Sequence, residues 1–239
     1  ARASIRNPAS YCGVTGLKPS TGLVSRYGEL PSTSAWYMVI GPIARTVRDL
    51  AFAMDVLAGE DARDPNSLSS GRSSYIDSID GKVQDLRFGV VSNYFFDDAT
   101  PEIERAVRHA AMTFADMGAV VEEVEIPGLE DMQLIEPSFE SENKSWLLDL
   151  ALHRGDEFLH QDIRFRILAG AFARVIDHDR ASRLLNRLRW TVQKTFESID
   201  VLITPTNSST AYPIEATTLD LKSGRIDVQS ANGQSRATT

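Results

Sequence analysis

Apolar positions recur at helical spacing over residues 46–57. Val47, Leu50, Ala51, Met54 and Leu57 fall on one stripe, and Gly59 stands just past the last turn. This pattern predicts a helix with one face turned to a core. Two short apolar runs, LRFGVV at residues 86–91 and AVVEEVEI at 119–126, are rich in β-branched side chains and read as strands. Between them Thr100, Pro101 and Glu102 open a second helix. The threonine offers a capping hydroxyl, the proline suits the first helical position, and the carboxylate sits near the positive end of the helix dipole. Residues 130–198 are mostly helical in pattern with an interruption at Gly170, and 180–196 is the clearest helix among them, just before an apolar strand at 201–204. Strand, helix and strand at these lengths make a βαβ-like unit. The expected fold class is therefore α/β, a mixed β-sheet flanked by helices. The three strands are expected in one sheet with the 46–57 helix packed on it. Beyond Thr206 the chain is a polar tail.

Composition narrows the partners. The chain has 239 residues, 42% of them hydrophobic, enough to bury a real core, and residues 1–239 read as a single domain. A formal net charge of -8 repels phosphate backbones and anionic lipid, so neither nucleic acid nor membrane is expected as a partner. The sequence contains no apolar run of about 18 residues. One cysteine, Cys12, permits no intrachain disulfide, which makes the reducing cytoplasm the expected location. Both ends look cut. The chain enters a dense motif at once, and after 201–204 it stops without an apolar element to close a fold.

That motif, SIRNPASYCGVTGLKPSTG over residues 4–22, concentrates the candidate chemistry. GLKPST superficially resembles a phosphate-binding loop, but such a loop needs Ser or Thr directly after the lysine. Here Pro19 follows and biases Lys18 to an extended conformation, so the segment reads as a tight turn. His109, His153, His160 and His178 show no metal-ligand spacing and read as surface helix residues, so no metal site is expected. Cys12, between Tyr11 and Gly13, reads as small buried packing rather than a reactive thiol.

Five runs of sequence, in order, carry a resemblance: Ser-Ile-Arg-x-Pro-Ala, Gly-x-x-Gly-Leu-Lys-Pro, Val-Ser-Arg-x-Gly, Gly-Pro-x-Ala-Arg-Thr-Val-x-Asp and Ala-Gly-x-Asp-x-x-Asp, spanning residues 4–64. Together they resemble the signature region of the amidase signature family, serine amidases that use a Ser, a second Ser in a cis peptide and a Lys. DVLITPT at 200–206 resembles a late core strand of the same family, and the middle of the chain agrees only in pattern. The resemblance implies an amidase-signature-like fold that is incomplete at both ends. Its parts are a signature core at 4–64, a helix-rich region at about 130–198 and a late strand at about 200–206.

Carried over residue by residue, the resemblance puts the catalytic nucleophile at Ser4 and the oxyanion donors at the backbone N–H groups of Arg2, Ala3 and Ser4. A site for amide hydrolysis needs both, because an amide carbonyl is a poor electrophile. Arg6 is a candidate for positioning the site. Arg26, Arg45 and Asp49 read as scaffold. The family's lysine base and bridging serine lie upstream of the nucleophile, and Lys18 matches the Gly-Leu-Lys-Pro run instead. The 239 residues alone are therefore expected to be inactive. Three residues depart from the family pattern: Arg2-Ala3 replaces the usual Gly-Gly, and Met38 stands where many members have Asp. The implied function is hydrolysis of a carbon–nitrogen amide bond through a seryl acyl-enzyme, without a cofactor. The alternatives are an amidotransferase A-subunit-like glutaminase component and a non-catalytic amidase-like binding protein. The expected partner is a small-molecule amide, with a homo-oligomer left open.

Overall fold

Three parallel strands, β3 (Arg87–Val91), β4 (Val120–Val124) and β5 (Val201–Ile203), form one sheet in the order β4-β3-β5. The expected strands thus share a sheet. Their identity follows from burial on both faces: four of the five residues of β3 are buried, as a central parallel strand requires. Alternation then sorts the side chains. Val91, Val124 and Leu202 face one side, and Val90, Val121 and Ile203 the other. In the computed structural model of this protein, residues 3–29, 38–68, 74–79, 81–135, 138, 147–148, 152–153, 167, 171–213, 218–221 and 224–227 are described.

A helix covers each face. On one side α3 (Pro101–Asp116) lays Ile103, Val107 and Ala111 against the sheet, and Phe114 stacks on Phe88 with ring centroids 4.5 Å apart. On the other side α4 (Val175–Thr195) presents Ala181, Leu184, Leu185, Leu188 and Val192, a single stripe at helical spacing. Fully burying one such aliphatic side chain stabilises the fold by about 1.5–3 kcal/mol. Helix α4 starts five residues before the expected 180. Its first residues, Val175 and Ile176, are 86% and 65% exposed, so no amphipathic signal marks that turn. The strands β3 and β5 are pinned at their starts by Asp200 and Arg87. The Asp200 carboxylate takes the Arg87 guanidinium at 3.0 and 3.1 Å and the Arg87 N–H at 2.9 Å, while the Asp200 N–H donates to the Arg87 carbonyl at 2.8 Å. This contact explains the aspartate that opens DVLITPT.

The helix α2 (Val47–Leu57) forms where its stripe predicts, but its seat is a correction. It packs on the antiparallel pair β1 (Thr15–Gly16) and β2 (Ile43–Ala44) and on the 3-10 turn Ile76–Ser78, whereas α3 and α4 occupy the faces of the three-stranded sheet. Thr46 caps it, accepting the Asp49 N–H at 3.1 Å and donating to the Asp49 carboxylate at 2.8 Å. At α3 the expected cap differs. The Thr100 side chain makes no capping bond, and its hydroxyl is buried without a partner; its N–H instead donates to the Ser208 carbonyl at 2.7 Å. In the polar tail, β6 (Thr218–Leu221) and β7 (Gly224–Asp227) pair antiparallel, a sheet that the tail's composition did not announce. The chain thus carries both pairing senses, parallel in the three-stranded sheet and antiparallel in the two pairs.

Candidate active site

Ser4 lies exposed on the turn that enters α1 (Arg6–Tyr11). This short helix was not expected from the sequence, because it is under two turns long and contains Pro8. Pro8 is the third helical residue, and its missing N–H forgoes only the bond to the Ser4 carbonyl, between the Asn7–Ala3 and Ala9–Ile5 bonds. The helix ends in a Schellman motif: Gly13, at φ +64°, donates to the Ser10 carbonyl at 3.2 Å and Val14 to the Ala9 carbonyl at 2.9 Å. That geometry accounts for the Cys-Gly pair. Cys12 is the C-cap residue and is exposed, which corrects its reading as buried packing.

One face of α1 is seated on backbone. Ile5 and Ala9 are buried. A Cβ at Gly16 would stand 3.0 Å from both the Ala9 Cβ and the Ile5 carbonyl, so only glycine lets β1 approach so closely. Gly41 is tighter still against Leu17, Pro19 and Ile5. The glycines of the signature region therefore build the surface that carries the Ser4 helix.

The later runs of the signature region clasp each other. Val24 bridges Ala58, and the Gly59 N–H donates to the Leu23 carbonyl at 3.0 Å. Ser25 donates to Asp61 at 2.9 Å, and the Arg26 N–H donates to the buried Asp64 carboxylate at 2.7 Å, with Arg26 Nε on Glu29 at 2.5 Å. Hydrogen bonds from Arg63, then from Ser25, hold the Asp61 carboxyl well below the usual carboxylate range. The Arg26 and Asn66 N–H groups do the same for Asp64. Arg26 and Asp49 thus make local ties, and exposed Arg45 accepts the Thr15 hydroxyl on its carbonyl at 3.3 Å.

Around Ser4, Arg2 lies outside the described residues. No hydrogen bond among the described residues uses the N–H of Ala3 or Ser4, while the Ala3 carbonyl accepts the Asn7 N–H at 2.8 Å. Arg6 is exposed. Lys18 is half-buried and donates to the Pro19 carbonyl at 3.0 Å; burial, and then the charge of Arg6, lower its pKa. The charge of Arg6 thus acts on Lys18, a coupling their spacing did not indicate. Met38 is half-buried, His109 and His153 are exposed, His178 is half-buried, and His160 and Gly170 lie outside the described residues. Among the described residues no three His, Cys, Asp or Glu side chains are grouped to hold a metal ion.

Residues after β5 complete the surroundings of α1. Ser209, 4% exposed, hydrogen-bonds through its side chain to the Tyr11 phenol, and the Tyr212 ring meets the Tyr11 ring edge-on at 5.5 Å. Nothing in the local pattern of NSSTAYP marks these contacts. They depend on where β5 ends, at the carboxyl edge of a parallel sheet, where α/β proteins gather their sites.

A family model described as Amidase matches residues 2–231. A glutamyl-tRNA(Gln) amidotransferase component from Roseiflexus sp. (strain RS-1) is 36% identical over 237 residues, covering 89% of this chain and 48% of the relative. An amidase of Pseudomonas putida is 36% identical over 205 residues, covering 85% and 44%. The crystal structure of a bacterial aryl acylamidase of the amidase signature enzymes superposes with a TM-score of 0.78 at 25% identity, over 98% of this chain and 49% of that one. The chain spans about half the length of the curated relatives it matches. A match that runs from residue 2 to residue 231, on a fold shared with a solved member, has one meaning: this chain belongs to the amidase signature family.

Proposed function

We propose that the protein hydrolyses a carbon–nitrogen amide bond of a small molecule, with Ser4 as the acylated residue. The observation that carries this reading is the placement of the SIRNPA run. Ser4 stands exposed at the head of a helix whose buried residues Ile5 and Ala9 pack on Gly16, and Ile5 also on Gly41, with the N–H groups of Ala3 and Ser4 uncommitted among the described residues. In the proposed reaction the Ser4 hydroxyl oxygen bonds to the amide carbon, and its proton passes to the lysine and bridging serine that the family pattern places upstream. The N–H groups of Arg2, Ala3 and Ser4 receive the developing oxyanion. Collapse breaks the carbon–nitrogen bond, the amine leaves with the proton, and water then releases the acid and restores Ser4. Arg6 would orient the turn from its exposed position. The cytoplasm is the proposed location; no helix among the described residues is long and apolar enough to cross a membrane.

A second reading, a glutaminase component of an amidotransferase, is supported by the similarity to the Roseiflexus protein. The third, a non-catalytic binding protein, is supported by Arg2-Ala3 at the usual Gly-Gly position. One experiment separates them: the full-length protein is treated with a fluorophosphonate and assayed against aliphatic amides, aryl amides and glutamine. The expected result is a label on Ser4 by mass spectrometry and turnover of aliphatic or aryl amides. Ser4→Ala should lose the label and at least about a thousandfold in rate, with its fold intact because one exposed hydroxyl contributes about 1 kcal/mol or less. Turnover of glutamine alone selects the second reading, and a protein with neither label nor turnover selects the third.

A further inference from the structure

The segment after β5 ties two parts of the molecule together. The Ser208 carbonyl accepts the Thr100 N–H at the head of α3, and the neighbouring Ser209 and Tyr212 reach Tyr11, the last residue of α1. Helical hydrogen bonding begins with the Asn7 N–H on the Ala3 carbonyl, and Ile5 already has right-handed helical angles. Ser4 and Tyr11 are seven residues apart, two helical turns, and so share a side of the helix. Ile5 and Ala9, about 100–140° further round the helix, are buried against Gly16 and hold one side of α1. The Tyr11 contacts, two turns from Ser4, hold another.

We propose that Tyr11 is a positioning residue for the nucleophile: its contacts with Ser209 and Tyr212 fix the rotation of α1 on the glycine seat, and with it the direction in which Ser4 presents its hydroxyl. The inference rests on the reading of Ser4 as the acylated residue. Burial raises the pKa of the phenol above its ordinary value, against the lowering effect of Ser209, so Tyr11 is neutral at neutral pH. The device also makes the orientation of Ser4 answer to the loop at the carboxyl edge of β5, which is itself anchored to α3.

The test is the rate of acylation of Ser4 by a fluorophosphonate in the full-length protein, resolved into the maximal inactivation rate and the half-saturating concentration. Misorientation of a reacting group by about 1 Å costs up to about a hundredfold in rate. Tyr11→Ala should therefore lower the maximal rate at least about tenfold while the half-saturating concentration stays within about twofold. Tyr11→Phe keeps the ring contact and loses the hydroxyl, so it should show a smaller fall, equal to that of Ser209→Ala. The double variant Tyr11→Phe/Ser209→Ala should be no slower than either single, because both remove one shared bond. A folded Tyr11→Ala protein that labels at the wild-type maximal rate overturns the proposal. If that variant does not fold, wild-type rates in both Tyr11→Phe and Ser209→Ala overturn it. A wild-type protein that takes no label on Ser4 overturns the underlying reading instead, a result distinct from both.

Discussion

Replacing Gly41 by alanine tests the glycine seat directly. A Cβ there would stand 2.1 Å from the Leu17 carbonyl oxygen, 2.7 Å from Pro19 Cδ and 3.0 Å from Ile5 Cδ1. Carbon and carbonyl oxygen settle at about 3.3 Å or more, so the backbone must part by roughly 1 Å. Neither side gives way freely. The Leu17 N–H is bonded to the Pro42 carbonyl at 3.0 Å, next to Gly41, and both Pro19 and Ile5 are buried. Overpacking by a methyl commonly costs about 1–3 kcal/mol when side chains absorb it. Here backbone must, so about 3 kcal/mol or more is expected, a fall in Tm of roughly 6–12 °C for a chain of this size. Gly13→Ala is the control. Its Cβ would meet nothing within 4 Å, and only the left-handed φ of +64° is penalised, at about 1–2 kcal/mol. Thermal melts followed by circular dichroism should rank wild type above Gly13→Ala and Gly13→Ala above Gly41→Ala. Because Ile5 adjoins Ser4, Gly41→Ala should also slow fluorophosphonate labelling. A Gly41→Ala protein that melts within about 2 °C of wild type, or above Gly13→Ala, would refute the close-packed seat.

Two further outcomes are expected. The Asp200 carboxyl is lowered to about 2 by hydrogen bonds from the Arg87 side chain and then from the Arg87 N–H, against an ordinary value of about 3.9. A depressed folded-state pKa gives stability that is complete above the unfolded value and lost as pH falls through the folded one. The urea midpoint of wild type should thus drop more steeply than that of Asp200→Asn between about pH 4 and pH 2, and parallel profiles would show that the pair contributes nothing. The 239 residues alone should turn over no aliphatic or aryl amide, because the resemblance assigns the base to a lysine upstream of Ser4. Turnover above buffer background would place the base within this chain, and half-buried Lys18 would become the residue to replace.

Hydrophobic spacing was enough for α2 and apolar β-branched runs for the three parallel strands, since each buries a stripe or both faces and period follows burial, whereas α3 was signalled by Thr100, Pro101 and Glu102 at its start. The same logic could not find α1. Six residues with a proline among them give no period, and the helix is held by a glycine seat that assembles only when β1 pairs with β2 and Gly41 comes up against Leu17. Composition likewise hid the pairing of β6 and β7. The candidate nucleophile was legible because SIRNPA and the glycines downstream form an ordered motif. The Tyr11 contacts were not, for Ser209 and Tyr212 lie some 200 residues away in a polar segment.

The division has a physical basis. Local sequence sets backbone preference and the direction of each apolar face. It therefore determined the α/β class and the capped start of α2 at Thr46. Which face meets which partner depends on contacts distant in sequence. Only the tertiary structure seated α2 on β1 and β2, set Asp64 under the Arg26 N–H, lowered the pKa of Lys18 by burial and the charge of Arg6, and carried the loop after β5 to Tyr11. Burial and charge proximity are properties of the folded chain, and no window of neighbouring residues contains them.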